Sequence, residues 1–173
     1  MKNTKLITML CLGALIACSP SKKGLEPISE QVSPRERLIE NLRATPQKGI
    51  MFGHHDDTVY GIGWEFDEGG SDVQKVCGDY PAVISFDLGE IELGGDKSLD
   101  KVPFEKIRKE IINQYNRGGL VSLSWHPRNP KTGGDAWDVS DHAVVKSILP
   151  EGENYEKFQS WLGKVNDFIL SLK

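Results

Sequence analysis

The chain has 173 residues, with 21 Lys or Arg against 25 Asp or Glu, and a formal net charge of −4 at pH 7. An acidic chain without a basic stripe excludes nucleic acid as an expected partner. Hydrophobic residues make up 38% and charged residues 27%, which is typical of a globular protein and excludes collagen-like and disordered classes.

The first 17 residues predict a secretory signal. Lys2 and Lys5 give the segment a positively charged start, and residues 6–17 are predominantly apolar. This apolar run is too short to cross a bilayer comfortably as a permanent helix. We therefore expect residues 1–17 to be removed on export.

The end of this segment, Leu15-Ile16-Ala17-Cys18, resembles the lipobox of bacterial lipoproteins. The resemblance implies that Cys18 becomes the lipidated first residue of the mature protein, and the alternative is a plain signal peptide with an incidental cysteine. We expect a membrane-anchored protein at the outer membrane, on the periplasmic face or the cell surface. Residues 18–33 are polar and predict a tether.

The remainder, residues 34–173, predicts one α/β domain. Apolar runs predict strands that are buried on both faces, as parallel strands covered by helices are. This order of elements favours either a barrel or a doubly wound sheet. Cys77 is expected to be a small packed residue. The predicted helices cover residues 34–42, 72–77, 102–116 and 155–172, and the predicted strands cover residues 49–53, 81–86 and 120–125.

Chemically capable side chains follow each predicted strand, where barrels and open α/β sheets carry their sites. Trp64 and Trp137 lie in the same loops, and Trp125 ends the third predicted strand beside His126. Aromatic rings beside carboxylates and imidazoles suit carbohydrate, because a ring packs on sugar C–H groups while charged groups bind the hydroxyls. The clusters are His54-His55-Asp56-Asp57, then Asp87 with Glu90 and Glu92, then His126 with Asp135 and Asp138.

Other chemistries are less well supported by these residues. His54 and His55 could contribute to a divalent metal site, but neighbouring residues of an extended segment point in opposite directions. Gly61-x-Gly63 lacks the third glycine of a dinucleotide loop. Asp87 and Glu90 lie too close together in one loop to oppose each other across a sugar ring, so ionic or hydrogen-bonded structural roles are expected for them.

Four motifs occur in order along the chain: Gly49-Ile50-Met51-Phe52-Gly53-His54-His55-Asp56-Asp57, Gly78-Asp79-Tyr80-Pro81-Ala82-Val83, Phe86-Asp87-Leu88-Gly89 and Ser124-Trp125-His126-Pro127-Arg128-Asn129-Pro130. Together these motifs resemble glycoside hydrolase family 26. That family consists chiefly of endo-acting β-1,4-mannanases. The resemblance runs from about Arg35 to Lys173. It implies a (β/α)8 barrel and a retaining mechanism with one Glu as acid/base and another as nucleophile. It also implies action on β-mannan or manno-oligosaccharides. We expect a monomer that needs no cofactor.

The resemblance also implies roles for individual residues. His126 is expected to line the subsite of the scissile mannose, and Trp137 to form an aromatic wall of the same cleft. His54 and Asp87 are expected on the cleft floor, where they orient neighbours or sugar hydroxyls.

The chain departs from the family where catalysis is concerned. In the family the acid/base follows the fourth strand in an Arg-Pro-x-His-Glu-like motif, and the nucleophile follows the seventh. Glu90, Glu92 and Glu151 match neither motif, and a complete barrel needs about 250 residues, or at least about 200. We therefore predict the N-terminal part of a barrel, about three to four βα units, without catalytic residues and inactive alone.

Three alternatives stay open at this point. A non-catalytic lipoprotein could bind mannan without cutting it. A metal-dependent hydrolase could use a similar barrel. A partial barrel with open sheet edges could also lack any function of its own.

Overall fold

The computed structural model describes residues 32–173. The predicted signal, Cys18 and the tether up to residue 31 lie outside the described residues. The chain divides into two units, Met1–Leu42 and Arg43–Lys173. Within residues 32–173, no helix combines the length and the apolar character needed to cross a membrane.

Helix α1 (Pro34–Ala44) begins at the predicted proline. Ser33 and Glu36 form a capping box at its start. The Glu36 backbone N–H donates to the Ser33 hydroxyl at 3.2 Å, and the Ser33 N–H donates to the Glu36 carboxylate at 2.9 Å. These bonds satisfy backbone donors that the first turn leaves free, so the prediction of a helix from Pro34 is confirmed.

The second unit holds a parallel sheet and its helices. In chain order its elements are β1 (Gly53–His55), β2 (Tyr60–Gly61), β3 (Trp64–Glu65), α2 (Asp72–Cys77), β4 (Val83–Asp87), α3 (Phe104–Asn116), β5 (Leu120–Ser124), α4 (Val144–Ser147) and α5 (Tyr155–Leu170). Three strands form one sheet in the order β1-β4-β5. Both pairings are parallel, and the register places Asp87 beside Ser124. The α/β class is confirmed, and the parallel strands with their connecting helices fit part of a (β/α)8 barrel.

The core lies between this sheet and its helices. Ile84 and Phe86 of β4 are fully buried, and they belong to one apolar cluster with Ile107 of α3 and Phe168 of α5. Phe168 meets Phe104 edge to face, with ring centroids 6.2 Å apart. Strand β4 is the central strand, and Asp87 at its carboxyl end pairs with Ser124 of β5, where the site begins.

The first predicted strand is displaced along the sequence. Strand β1 begins at Gly53 and contains His54 and His55, whereas residues 49–52 are not part of a strand. Ile50 is fully exposed and Phe52 is 61% exposed. The Phe52 carbonyl still accepts a hydrogen bond from the Val83 N–H at 3.2 Å. The apolar run therefore leads into the strand, and the prediction of a buried strand over residues 49–53 is wrong.

The predicted loop after β1 contains a hairpin of β2 and β3, which the sequence did not indicate. Trp64 is nearly buried within it, and its indole N–H donates to Asp72 at 2.7 Å. A side chain at Gly61 would come within 2.3 Å of the Trp64 indole nitrogen, so the close turn requires glycine there. Trp64 is a packing residue of the hairpin, and its interpretation as a cleft aromatic is wrong.

Some predicted buried faces are exposed. Tyr115 of α3 is 76% exposed, and Leu162 and Ile169 of α5 are also exposed. Cys77 is exposed rather than packed. Helical periodicity predicts one buried apolar face on each of these helices, but the part of α3 and of α5 that is buried is narrower than the apolar stripe.

Candidate functional site

The site begins where β4 and β5 end side by side. Asp87 closes β4 and is buried, and one of its carboxylate oxygens accepts a hydrogen bond from the Ser124 hydroxyl at 2.7 Å. The same oxygen is bonded to Nδ1 of His126. The other oxygen accepts from the Gly89 backbone N–H at 2.5 Å. Asp87 therefore anchors the imidazole at the carboxyl ends of the two strands.

Hydrogen bonding keeps this carboxylate ionised. Burial alone would raise the pKa of Asp87, but the bonds from Ser124, Gly89 and His126 outweigh it and hold the pKa below its usual range. An ionised carboxylate only accepts hydrogen bonds, so Nδ1 of His126 carries the proton. Among the described residues Nε2 of His126 has no hydrogen-bond partner, and it is free to bind a ligand oxygen.

Trp137 lies flat against the imidazole of His126. The ring centroids are 5.8 Å apart and the planes differ by 7°. Trp137 is 68% exposed, and its backbone N–H donates to the Asp135 carboxylate at 2.9 Å. An exposed indole parallel to an imidazole forms a flat apolar wall beside a polar nitrogen. Such a wall suits the C–H face of a sugar ring.

A buried asparagine holds the loop that carries this tryptophan. The Asn129 side-chain oxygen accepts from the backbone N–H groups of Lys131, at 3.0 Å, and Thr132, at 3.2 Å. Its amide donates to the Asp138 carbonyl at 3.1 Å. Because Asp138 directly follows Trp137, Asn129 fixes the loop around the exposed indole.

Glu92 fixes the segment on the other side of His126. It is buried, and its two oxygens accept from the Trp125 indole N–H at 2.9 Å and from the Arg128 backbone N–H at 2.7 Å. Trp125 also stacks on Phe158 of α5, with centroids 5.8 Å apart. Trp125 therefore positions the segment before His126, and of the three loop tryptophans Trp137 is the most exposed.

Two concave regions adjoin the imidazole. A groove of about 250 Å³ is lined by residues 125–130, Asp135, Ala136, Asp138 and Val144. A water-sized cavity of about 20 Å³ lies among Glu90, Arg128, His126 and Trp137, among others. A larger cavity of about 610 Å³ is lined by Lys131 and by eight residues between Ala143 and Glu153, and none of the predicted site residues lines it.

His54 is placed differently from the other three predicted residues. It lies in β1 opposite Ile84, is exposed, and has its Nδ1 2.8 Å from the His55 carbonyl. None of the contacts in the described chain joins it to Asp87, His126 or Trp137. The structure thus brings three of the four predicted residues together.

Asp56 is a buried acid that the sequence analysis did not single out as a separate residue. One of its oxygens lies 3.2 Å from Nε2 of His55, and the other has no hydrogen-bond partner. Burial raises its pKa to about 6 against the opposing effect of His55, and nearby Asp100 and Asp87 add to the rise. Its backbone is left-handed, with a φ of 54°. The signal in the sequence is a polar residue directly after a strand, which by itself does not reveal burial.

Among residues 32–173, no three His, Cys, Asp or Glu side chains are grouped so that they could hold a metal ion. The chemistry available in the described site is hydrogen bonding by imidazole and carboxylate beside an aromatic surface.

Parallel strands joined by helices, with this arrangement at their carboxyl ends, define a protein of the (β/α)8-barrel class that carries a polar, aromatic-walled cleft. More narrowly, the chain belongs to glycosyl hydrolase family 26, whose family model matches residues 29–173.

Solved structures of the same family resemble this chain over most of its length. A family 26 β-mannanase from Bacteroides ovatus is 63% identical, with a TM-score of 0.77, over 79% of this chain and 40% of that one. A double mutant of an endo-β-1,4-mannanase from Cellulomonas fimi is 28% identical, with a TM-score of 0.65, over 76% of this chain and 30% of that one.

A curated relative agrees with these structures. A mannan endo-1,4-β-mannosidase from Bifidobacterium adolescentis is 30% identical over 132 residues, which is 74% of this chain and 13% of that protein. The chain therefore spans less than half the length of each of these relatives.

Proposed function

We propose that this chain forms the part of a β-1,4-mannanase that binds mannan around the scissile sugar. The observation that carries the proposal is the stacked pair of His126 and Trp137, held by the buried Asp87. Relatives described as β-mannanases that are 63% and 28% identical support mannan as the glycan.

The geometry supplies two complementary contacts for a sugar. The exposed face of Trp137 packs against the C–H groups of a pyranose, while Nε2 of His126 hydrogen-bonds to a hydroxyl. Because Asp87 fixes the imidazole before any ligand arrives, little side-chain freedom is lost on binding.

We further propose that the two catalytic glutamates lie in sequence that this chain does not include. A retaining glycosidase needs one carboxyl group that holds a proton and one that is free to attack. Glu90 is ion-paired to Arg128, and Glu92 is buried and accepts two hydrogen bonds. Asp87 is engaged with His126, and Asp56 is buried. These engagements support a binding role for the acidic residues rather than bond cleavage.

The cellular setting is also part of the proposal. Cys18 is lipidated and anchors a monomeric protein at the outer membrane, so that the cleft meets polysaccharide outside the cytoplasm. The lipobox-like Leu15-Ile16-Ala17-Cys18 supports this placement.

Affinity electrophoresis of the purified full chain tests the binding function. We expect retardation in gels that contain glucomannan or galactomannan, and no reducing ends released from either glycan. Equal mobility with and without glycan would overturn the binding proposal, and robust release of reducing ends would overturn the proposed absence of catalytic residues.

A chimera tests the enzymatic role of the whole protein. This chain is fused to the remaining sequence of the Bacteroides ovatus β-mannanase, to which it is 63% identical over the matched part. We expect the chimera to hydrolyse mannan, and His126→Ala in the chimera to reduce the rate. A folded chimera that binds mannan without cutting it would favour the non-catalytic alternative.

A further inference from the structure

Arg128 and Glu90 form an ion pair beside the stacked rings, and the function proposed above assigns no role to it. The Nη2 atom of Arg128 donates to a Glu90 carboxylate oxygen at 2.5 Å. The two side chains are 37% and 30% exposed. Both line the water-sized cavity that His126 and Trp137 also line. Arg128 and His126 also line the groove of about 250 Å³, so the pair borders the space into which a sugar next to the imidazole would extend.

This pairing leaves hydrogen-bonding capacity unused. A guanidinium group carries five N–H donors, and an ionised carboxylate accepts on both oxygens. Within the described chain, the Arg128 guanidinium donates one hydrogen bond, and only one oxygen of Glu90 accepts one. Arg–carboxylate pairs are frequently bidentate. Here the contact is single, and free donors stand beside a free acceptor.

The backbone fixes both members of the pair. Glu90 has a φ of 70°, a left-handed conformation that a residue with a side chain adopts at an energetic cost. The Arg128 backbone N–H is bound by the buried Glu92 carboxylate at 2.7 Å. Partly exposed ion pairs contribute little to stability. The strained backbone of Glu90 and the buried Glu92 carboxylate both hold an ion pair that contributes little to stability. This indicates that the pair is positioned to bind a ligand.

We propose that Arg128 and Glu90 form a sugar subsite that recognises two neighbouring hydroxyls of an uncharged pyranose. One hydroxyl donates to the free Glu90 oxygen, and the other accepts from a free guanidinium N–H. The proposal rests on the proposed glycan-binding function and adds the residues that select the sugar.

The local charge specifies the class of sugar. Glu90 neutralises Arg128, and the Asp135 carboxylate lines the same cavity. An anionic sugar such as a uronate would meet two carboxylates against one guanidinium, so it would be disfavoured. The subsite therefore selects neutral hexoses over uronic acids.

Calorimetric titration of the full chain with two probes of equal length, mannohexaose and hexamannuronate, tests the subsite. The variants are Arg128→Lys and Glu90→Gln. Glu68→Gln is the matched control, because Glu68 forms an exposed ion pair with Lys109 at 2.7 Å and lies outside the cleft lining. Thermal unfolding of each variant checks that it folds.

We expect the wild type and Glu68→Gln to bind mannohexaose and to discriminate against hexamannuronate. Each subsite variant should bind mannohexaose about fivefold or more weakly, as the loss of one hydrogen bond implies. Glu90→Gln should also reduce the preference for mannohexaose over hexamannuronate, because it removes the carboxylate that neutralises the positive charge of Arg128. A purely structural ion pair would not change the preference between the two probes.

Mannohexaose binding by both subsite variants that equals the control would overturn the subsite and leave the proposed glycan-binding function intact. A wild type that prefers hexamannuronate would overturn the neutral class of sugar. A wild type that binds neither probe would overturn both proposals. If Arg128→Lys fails to fold, Glu90→Gln alone tests the subsite, through its preference between mannohexaose and hexamannuronate.

Discussion

Asp87 and His126 are 39 residues apart in the chain, yet the carboxylate of the first is bonded to Nδ1 of the second at the adjoining ends of β4 and β5. The carboxylate also receives bonds from Ser124 and Gly89, so it is held in place independently of the imidazole. This order of support, from strand to carboxylate to imidazole, leaves Nε2 as the ring atom that meets a ligand.

Asp87→Asn tests this support. Asp87 accepts hydrogen bonds on two oxygens, and an asparagine has only one acceptor oxygen. Its amide N–H₂ group must therefore face a donor, either the Gly89 N–H or the Ser124 hydroxyl and His126 Nδ1. We expect glycan affinity to fall about tenfold and the ¹⁵N shifts of the His126 ring to show a mixture of tautomers. Asp79→Asn, at an exposed position, is the control. An unchanged tautomer together with unchanged affinity would contradict the positioning role.

Trp137→Ala tests the aromatic wall. The indole is 68% exposed, so its removal costs little folding energy but deletes the surface proposed to contact the sugar. We expect mannan affinity to fall by about tenfold or more, in line with about 1–3 kcal/mol for an aromatic contact. Tyr115→Ala removes a comparably exposed ring from α3, and it should bind like the wild type. Equal losses in both variants would argue against a specific wall.

Much of this site could be predicted from the sequence, because parallel strands carry their functional residues at a common edge. That rule and the resemblance to the family predict three cleft residues, His126, Trp137 and Asp87, and the structure brings these three together. The role of each in substrate binding stays a prediction that the experiments above address.

The partners that hold the site could not be predicted. Glu92 reaches Trp125 and Arg128 across more than 30 residues, and Asn129 closes its own loop. Such bonds depend on where loops fold back in space, and periodicity carries no signal for them. The same limit explains why the packing role of Trp64 could not be predicted. Its hydrogen-bond partner Asp72 lies after a hairpin for which the sequence shows no apolar alternation.

Gly89→Ala tests the close packing next to the anchor. A methyl group at Gly89 would lie 2.1 Å from Cδ2 of Leu99 and 2.7 Å from a carboxylate oxygen of Asp87. We expect a loss of about 1–3 kcal/mol in the free energy of unfolding and weaker glycan binding, because Asp87 must move. Gly95→Ala is the matched control, since nothing lies within 4 Å of its added methyl. Urea denaturation of both variants measures the difference, and equal midpoints would contradict the packing argument.

Asp56 should make the protein less stable as the pH rises. Its folded pKa is raised to about 6, chiefly by burial, from an ordinary value of 3.8. Between about pH 4 and pH 6 the folded state therefore holds a proton that the unfolded state has lost. The contribution of Asp56 to the free energy of unfolding therefore falls as the pH rises through that window, and it stays low above pH 6.

Asp56→Asn removes this titration and keeps the shape of the side chain. Asparagine also tolerates the left-handed backbone at this position, where φ is 54°. Above pH 6 we expect the variant to be more stable than the wild type by about 1–3 kcal/mol, as a shift of roughly two pKa units implies. Near pH 4 most of the difference should disappear, because the folded wild-type carboxyl is then protonated and neutral like the amide, and below the ordinary pKa of 3.8 it is protonated in both states.

The neighbouring Asp57 provides the contrasting variant. Its carboxylate is bonded to the Ser71 hydroxyl and accepts from the Val73 N–H at 3.2 Å, so both oxygens are used. Asp57→Asn forces an amide donor against one of these donors, and it should cost about 1–2 kcal/mol at pH 7. Urea denaturation at pH 4 and pH 7 separates the two variants. A gain for Asp56→Asn that is as large at pH 4 as at pH 7, or no gain at pH 7, would show that burial does not hold a proton on Asp56.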